Sequence, residues 1–421
     1  MDKELLNPLS GFRDLNSPTK DWVTSQLRQI FQRFGYQMLE TPALERQELL
    51  LGKISAASSG IPGGIGSEAQ KQLYLFEDNG ARKVGLRYDL TVSLARFVAA
   101  NFGRLSWPYK RYEIGPAWRA EKAQKGRYRQ FTQADVDIVG VESLSAEVEL
   151  LEILAAAQKA LGIKWKVLLN DRQLIRGVLT SLKVAEVKQT ALLQTIDKKD
   201  KLSADALKSE LMKIGLTDIQ LRQIDELFLG RPSLDEFAKL ADDSAVRVKE
   251  LILRAKNSGL DAEFAPAMVR GLDYYTGTII EAGVTDYPSS LAGGGRYDSL
   301  VESIIGKKVP AVGLSFGVDR IADLLEQTAP KTAPARFVIN LPEAETELRR
   351  WVSELRDSGQ SVELYPDSAV ELGKQIKYAD QREYQKVLIP FEAEWKDGLI
   401  VEKDLKSGHQ AKLNRDQIVH G

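Results

Sequence analysis

The stretch RYRQFTQADVDIVG, residues 127–140, carries two patterns at once. In an extended strand, successive side chains alternate between faces. Arg129, Gln133, Asp135 and Asp137 then share one side, with Phe131 among them, while Ala134, Val136 and Ile138 share the other. The second side is built for a core. The first fits equally the wet face of an antiparallel sheet or the floor of a binding site. Working outward, Tyr109 to Arg119 reads as a partner strand, and Ser145 to Leu161 as a helix closed by Gly162. Upstream, Ser17-Pro18 opens a helix whose apolar residues Trp22, Val23, Leu27, Ile30, Phe31 and Phe34 recur at helical spacing up to Gly35. Tyr36 to Leu44 reads as a strand in which Pro42 suits an edge. Asp78-Asn79-Gly80 between two apolar runs predicts a hairpin. Hairpins with helices between them, without repeating strand-helix-strand units, predict an antiparallel sheet with flanking helices in an α+β fold.

At 421 residues the chain is too long for one core. From about Leu179 to Leu260 strand signals vanish and apolar residues recur at helical spacing, which predicts a helical insertion. The sheet is expected to resume at about Ala267 and run to Gly317. Residues 328–334, TAPKTAP, form a linker by composition, and short strands alternating with helices beyond it predict a small C-terminal α/β domain. The expected division is 1–178 and 262–326 for a split first domain, 179–261 for the insertion and 335–421 for the last domain.

The 43% hydrophobic and 28% charged composition is that of an ordinary globular protein. No run reaches the length of a membrane helix, and the charged start Met1-Asp2-Lys3-Glu4 lacks a secretory core, so the cytoplasm is the expected address. Without cysteine, and with His409 and His420 as the only histidines, neither a zinc site nor a histidine general base is expected. A net charge of -1 supplies no long-range pull on a nucleic acid, so any such partner must be met by local basic patches. Composition alone favours a metabolic enzyme.

Three segments carry chemistry. Arg119, Lys122, Lys125, Arg127 and Arg129 concentrate cations around the loop before the 127–140 strand, which suits a polyphosphate or an ordinary solvated hairpin tip. Near the sheet's end, AVGLSFGVDRI (311–321) runs a strand into a helix with Arg320 in its first turn, a plausible anion seat. Most telling is RGLDYYTG (270–277), followed by GGGRYD (293–298). So polar a segment, beside a glycine triplet that lets the backbone approach a ligand, reads as a small-molecule site.

Together these segments resemble the signature motifs of the class II aminoacyl-tRNA synthetases. Residues 35–45 are similar to motif 1, Trp118-Arg119-Ala120-Glu121 to motif 2, and Gly317-Val318-Asp319-Arg320 to motif 3. The 270–277 segment and Leu86-Arg87-Tyr88-Asp89-Leu90-Thr91 resemble one family within that class, the histidyl-tRNA synthetases. Residues 372–380 resemble that family's anticodon-binding domain.

The resemblance implies attachment of L-histidine to tRNA(His) through a histidyl adenylate, with ATP and Mg2+, by a homodimer. It also implies roles. Asp89, Thr91 and Gln133 would hold the substrate ammonium. Asp137 and Tyr275 would bracket the imidazole, with Tyr274 alongside. Arg119 would grip the α-phosphate of ATP, Glu121 the adenine side, and Arg320 the γ-phosphate, with Arg127 nearby. Arg270 would lie between carboxylate and α-phosphate, and Gln124 would meet the tRNA acceptor end. The chain departs from the family pattern in carrying aspartate at 89 and 137 where glutamate is common, and Ala123 for a frequent proline. Pro390-Phe391-Glu392 also interrupts a stretch that is usually Gly- and acid-rich. A second reading is a silent paralogue serving as a regulatory subunit of histidine biosynthesis. Arg119, Arg270, Arg320 and the full C-terminal domain argue against it.

Overall fold

The computed structural model describes residues 6–15, 17–52, 72–122, 126–197, 199, 202–230, 232–269, 275–285, 287, 289–329 and 336–420. Arg270, Tyr274, Gln124 and the Gly-, Ser- and Ala-rich stretch 54–66, whose composition reads as a loop, lie outside these residues, as does most of the 328–334 linker. The chain forms two compact units, divided between Ala329 and Pro330.

The strands of the first unit are β1 (Gln37–Met38), β2 (Leu44–Arg46), β3 (Leu75–Glu77), β4 (Lys83–Leu86), β5 (Tyr109–Trp118), β6 (Gln130–Val139), β7 (Lys166–Asp171), β8 (Asp261–Phe264), β9 (Thr278–Gly283), β10 (Ala292–Arg296) and β11 (Ala311–Gly317). Eight of them make one sheet in the order β1-β5-β6-β11-β10-β9-β7-β8, antiparallel except for the parallel pairs β1/β5 and β7/β8 at its two edges. The α+β fold is as the sequence predicts.

Alternation along β6 decides what each face of this sheet does. Ala134, Val136 and Ile138 enter the main core. The helix Pro18–Arg33 brings Val23, Leu27, Ile30 and Phe31 to that core, and Ser145–Leu161 adds Leu150, Leu151, Ile153, Leu154 and Ala157. The start of the first helix and the end of the second follow local chemistry. Ser17 Oγ accepts from the Lys20 amide at 3.1 Å, and Gly162 caps the second helix at φ +67°. The opposite sheet face is closed at one end by Leu94, Val98, Tyr297 and Val301, where the helices Thr91–Asn101 and Ser299–Ile305 pack. The rest of that face holds the cavity described below.

Three expectations need correction. The strand expected over 36–44 divides into β1, an edge of the main sheet, and β2, which joins β4 and β3 in a separate three-stranded sheet. The break follows from Thr41-Pro42: the Thr41 amide and hydroxyl both donate to buried Glu113 at 2.9 Å, and Pro42 has no N–H to extend a ladder. The helical stretch begins at Arg172, with Asp171 accepting from the Gln173 amide at 2.7 Å. The sheet resumes at Asp261 rather than Ala267, because β8 returns beside β7.

The intervening helices bury Leu174, Ile175, Val178, Phe228 and Phe237 in a core of their own. Helix Asp242–Asn257 ties that core to the main one, giving Ala245 and Val248 to the first and Leu251 and Ala255 to the second. No helix among the described residues is long and apolar enough to cross a membrane.

The second unit holds β12 (Arg336–Val338), β13 (Val362–Leu364), β14 (Lys386–Ile389), β15 (Leu399–Asp404) and β16 (Gln410–Asn414), in the order β13-β12-β14-β15-β16. The first three pair in parallel with helices between them, and β15 and β16 add an antiparallel ribbon that the sequence reading did not include.

Candidate active site

A cavity of about 360 Å3 lies over the polar face of β6. Strand register orders it. At the β6 start, Trp118 pairs with Gln130 and Gly317 with Gln133, so the residues just beyond those strands, Arg119 and Arg320, meet there. Four residues along from Gln133, roughly 13 Å at strand rise, Asp137 lies between Arg111 on β5 and Gly313 on β11. The site is thus cationic at one end and acidic at the other.

Arg119, Arg127 and Arg320 all line the cationic end, with the carboxylates of Glu121 and Glu281 on the same cavity. Arg320 is braced by two main-chain carbonyls, Gly126 at 3.0 Å and Ser290 at 2.9 Å. Arg119 donates to the Tyr88 carbonyl at 3.1 Å and lies 5.1 Å from the centre of the Phe131 ring. Burial, then the neighbouring Arg127 and Arg119, lowers the Arg320 pKa below its ordinary value. Such a cluster of like charges gains from an anion.

At the acidic end, Asp89 accepts from the amides of Thr91 (3.2 Å) and Val92 (3.0 Å) and so caps the helix Thr91–Asn101. Gln133 Nε2 donates to Ser315 Oγ at 2.7 Å. Asp137 receives the Tyr297 hydroxyl at 2.5 Å on Oδ1, while its Oδ2 pairs with Arg111 at 3.0 Å. Arg111 is fully buried, also donates to the Leu90 carbonyl at 3.1 Å, and reaches Glu113 at 3.5 Å. Glu113 in turn takes Arg87 at 2.8 Å. A buried chain of alternating charge therefore runs from Arg87 through Glu113 and Arg111 to Asp137.

Burial opposes the charge on Asp135 and Asp137. It raises Asp137 against the pull of Arg111, and raises Asp135 to about 8, again against Arg111. Arg111 and the Tyr297 hydroxyl favour the charged form of Asp137 against that burial. Burial, then Asp135, raises the Tyr275 pKa well above the ordinary phenol value, so its hydroxyl keeps its proton.

The family model described as histidyl-tRNA synthetase matches residues 11–321. The chain belongs to the histidyl-tRNA synthetase family. It is 34% identical to the histidine–tRNA ligase of Rhodopirellula baltica, over 94% of this chain and 92% of that protein. Identity to the Wolinella succinogenes ligase is likewise 34%, over 97% and 96%. Among solved structures, the histidyl-tRNA synthetase of Nostoc sp. superposes with a TM-score of 0.82 at 25% identity, covering 98% of both chains.

Of the residues the family resemblance singles out, Arg119, Glu121, Arg127, Arg320, Asp89, Thr91, Gln133, Asp137 and Tyr275 all border this one cavity. Arg270, Tyr274 and Gln124 lie outside the described residues. Sequence reasoning gave no role to Asp135, Ser315 or Glu281, which line the cavity, or to Arg111, Glu113 and Tyr297, which hold its floor. Asp135 was visible as a member of the polar face of its strand. Arg111 and Glu113 also alternate with bulky residues, a signal that could have placed them on that same face of β5.

The glycines need a different reason from the one their sequence suggests. A Cβ at Gly294 would strike the Gly313 carbonyl on β11, and one at Gly313 would strike the Asp137 carboxylate. Both positions are glycine because strand and acid already fill the space.

Proposed function

We propose that this chain joins L-histidine to ATP and then transfers the histidyl group to tRNA(His). What carries the reading is a single cavity with arginines at one end and acids with a phenol at the other, in a chain of this family. The α-ammonium fits Asp89, with Thr91 and Gln133 as neutral neighbours. The imidazole fits the acidic floor, Asp137 by resemblance, together with Tyr275. The triphosphate fits Arg119, Arg127 and Arg320. Mg2+ would arrive on its outer phosphates, with Glu121 and Glu281 as hard oxygen donors on the same cavity.

A histidine carboxylate oxygen would attack the α-phosphorus as the bond to the β-phosphate oxygen breaks, and pyrophosphate leaves. Arg270 and Arg119 would offset the charge gathered in that step, so no protein nucleophile is needed. The adenylate would then pass its acyl group to the terminal ribose of tRNA, with Gln124 near the acceptor end and residues 335–421 on the anticodon.

The same reading makes the protein a cytoplasmic homodimer, paired through the motif 1 region. Support for that pairing comes from the short edge strand β1 with its exposed Met38 (62%), and from exposed Leu44 (46%) at the start of β2. On this reading residues 1–178 and 262–326 form the split catalytic domain, 179–261 its insertion and 335–421 the anticodon-binding domain.

The test is ATP–pyrophosphate exchange with each amino acid in turn. Exchange with histidine alone, followed by charging of tRNA(His), is the expected result. Histidine binding without exchange would instead point to a silent paralogue.

A further inference from the structure

Residues 10–13 bind the two segments that supply Arg127 and Arg320. The Gly11 carbonyl accepts from the Arg129 amide at 2.8 Å, and the Ser10 carbonyl accepts from Arg129 Nη1 at 3.0 Å. The guanidinium of Arg13 lies 3.6 Å from the centre of the Tyr128 ring. Its Nη2 donates to Asp319 at 3.2 Å and its Nη1 to Asp323 at 3.3 Å. Tyr128 follows Arg127 in sequence, and Asp319 precedes Arg320. One side chain therefore holds the immediate neighbours of two arginines that line the cationic end.

Asp319 is the fixed end of this clamp. It is 3% exposed and also takes Lys20 at 3.2 Å and the Thr132 amide at 2.5 Å. The helices Pro18–Arg33 and Val318–Leu325 and strand β6 thus meet on one carboxylate, and two cations with an amide offset the cost of burying it. At the other end, the Tyr128 hydroxyl reaches Asp323 at 3.4 Å. Two residues before Tyr128, the Gly126 carbonyl accepts from Arg320 Nε at 3.0 Å, so Arg127 lies on a short stretch fastened on both sides. Arg119 and Arg127 act against the charge of Arg320, so the empty cationic end repels itself. Arg13 opposes that repulsion from behind, with its own charge offset by Asp319 and Asp323.

We propose that Arg13 is a positioning residue for ATP, which holds Tyr128 and Asp319 so that Arg127 and Arg320 converge on the phosphates. The inference rests on the ATP binding proposed above, and Arg13 touches no reacting atom. Its action depends on shape as well as charge. A guanidinium offers a face to the tyrosine ring and a fork to the carboxylates at once, which an ammonium does not. Losing it leaves Asp319 with Lys20 and Thr132, so the fold survives while the Arg127 stretch loosens. The loss falls on the nucleotide and spares histidine, whose proposed subsite is the other end of the cavity.

The test uses the full-length protein and reads ATP affinity by calorimetry beside the KM values of histidine-dependent exchange. Arg13→Ala should weaken ATP binding and raise the ATP KM roughly 5- to 30-fold, short of the roughly 100-fold that a full misplacement can cost. The histidine KM should stay within about twofold. Arg13→Lys keeps the charge without the stack and should recover only part of the loss. Tyr128→Leu leaves the ion pairs of Asp319 in place and should reproduce the loss, most of which Tyr128→Phe should recover. The double variant Arg13→Ala/Tyr128→Leu should be no worse than either single one, as for two residues acting as one unit. Additive losses would mean that Tyr128 meets ATP on its own account, and would overturn the proposal. Wild-type ATP affinity in folded Arg13→Ala, or a parallel rise in both KM values, overturns it too. Should Arg13→Ala not fold, Arg13→Lys takes its place in the same comparison. Wild-type protein that binds ATP without histidine-dependent exchange would remove the proposed activity alone, since the ATP affinities still decide the role of Arg13.

Discussion

Arg296 and Glu147 form a two-pronged ion pair sealed from solvent, with Nε to Oε1 at 2.7 Å and Nη2 to Oε2 at 2.6 Å. Arg296 ends the glycine-bearing strand β10, and Glu147 sits in the first turn of the helix Ser145–Leu161. Thr278 adds a bond to Glu147 at 3.2 Å. The pair pins the strand beside the site to the helix layer behind it. Removing one partner leaves the other buried with only a longer ion pair, Asp298 at 3.3 Å for Arg296 or Arg247 at 3.6 Å for Glu147, so Arg296→Met or Glu147→Gln should each cost up to about 3–5 kcal/mol. The double variant should cost less than the sum, because no charge is then stranded. Urea unfolding of the three variants decides it: single losses under about 1 kcal/mol would mean the pair is not a structural anchor.

The second prediction concerns the cationic end. Arg320 is depressed by burial and by Arg127 and Arg119 nearby, so a polyanion relieves a cost already present in the empty site. ATP or pyrophosphate should stabilise the protein, by about 2.7 kcal/mol at a hundredfold excess over Kd. Arg320→Ala should raise the ATP KM roughly 10- to 100-fold while histidine KM stays near wild type. Thermal shifts with ATP that are equal in wild type and variant would exclude Arg320 from the phosphate site.

Arg270 supplies the third. The sequence puts it at the head of the segment most specific to the family, and the proposed chemistry asks it to hold two repelling anions together. Arg270→Ala should unfold like wild type yet lose adenylate formation by several orders of magnitude, since one preorganised charge contact is worth roughly 3–4 kcal/mol or more. Near-normal exchange by that variant would show that the catalytic charge lies elsewhere.

What could be read from the chain and what could not differ in range along the sequence. The helix Ser145–Leu161 ends where Gly162 says it must, and β6 alternates as its residues do, because caps and pleats are local. The β7/β8 pairing was hidden, since nearly ninety residues of helix separate two short strands that become neighbours only in the sheet. Thr41-Pro42 looked like an edge strand because its real bond, to Glu113, comes from a distant element. The site shows the same split. Its cavity-lining acids were visible as one face of a strand, whereas what holds Asp137 depends on Arg111 and Tyr297, each from another element. A charge read alone on Arg111 looks solvated; only its partners across the sheet make it a buried support.

Asp135 links site and stability through pH. Its ordinary carboxyl value is 3.8, and burial, opposed by Arg111, raises it to about 8 in the folded protein. A pKa raised on folding contributes stability that is complete below the unfolded value and is lost as pH climbs through the folded one. The ligand-free protein should therefore weaken between about pH 4 and pH 8, as the buried acid is forced to ionise. Asp135→Asn has no proton to lose and should flatten its part of that slope, roughly 1.4 kcal/mol for each pH unit of the window. Urea unfolding of the two proteins at a series of pH values checks it. Superimposable slopes for wild type and Asp135→Asn would mean that Asp135 is already ionised in the empty site, and that Arg111 outweighs its burial.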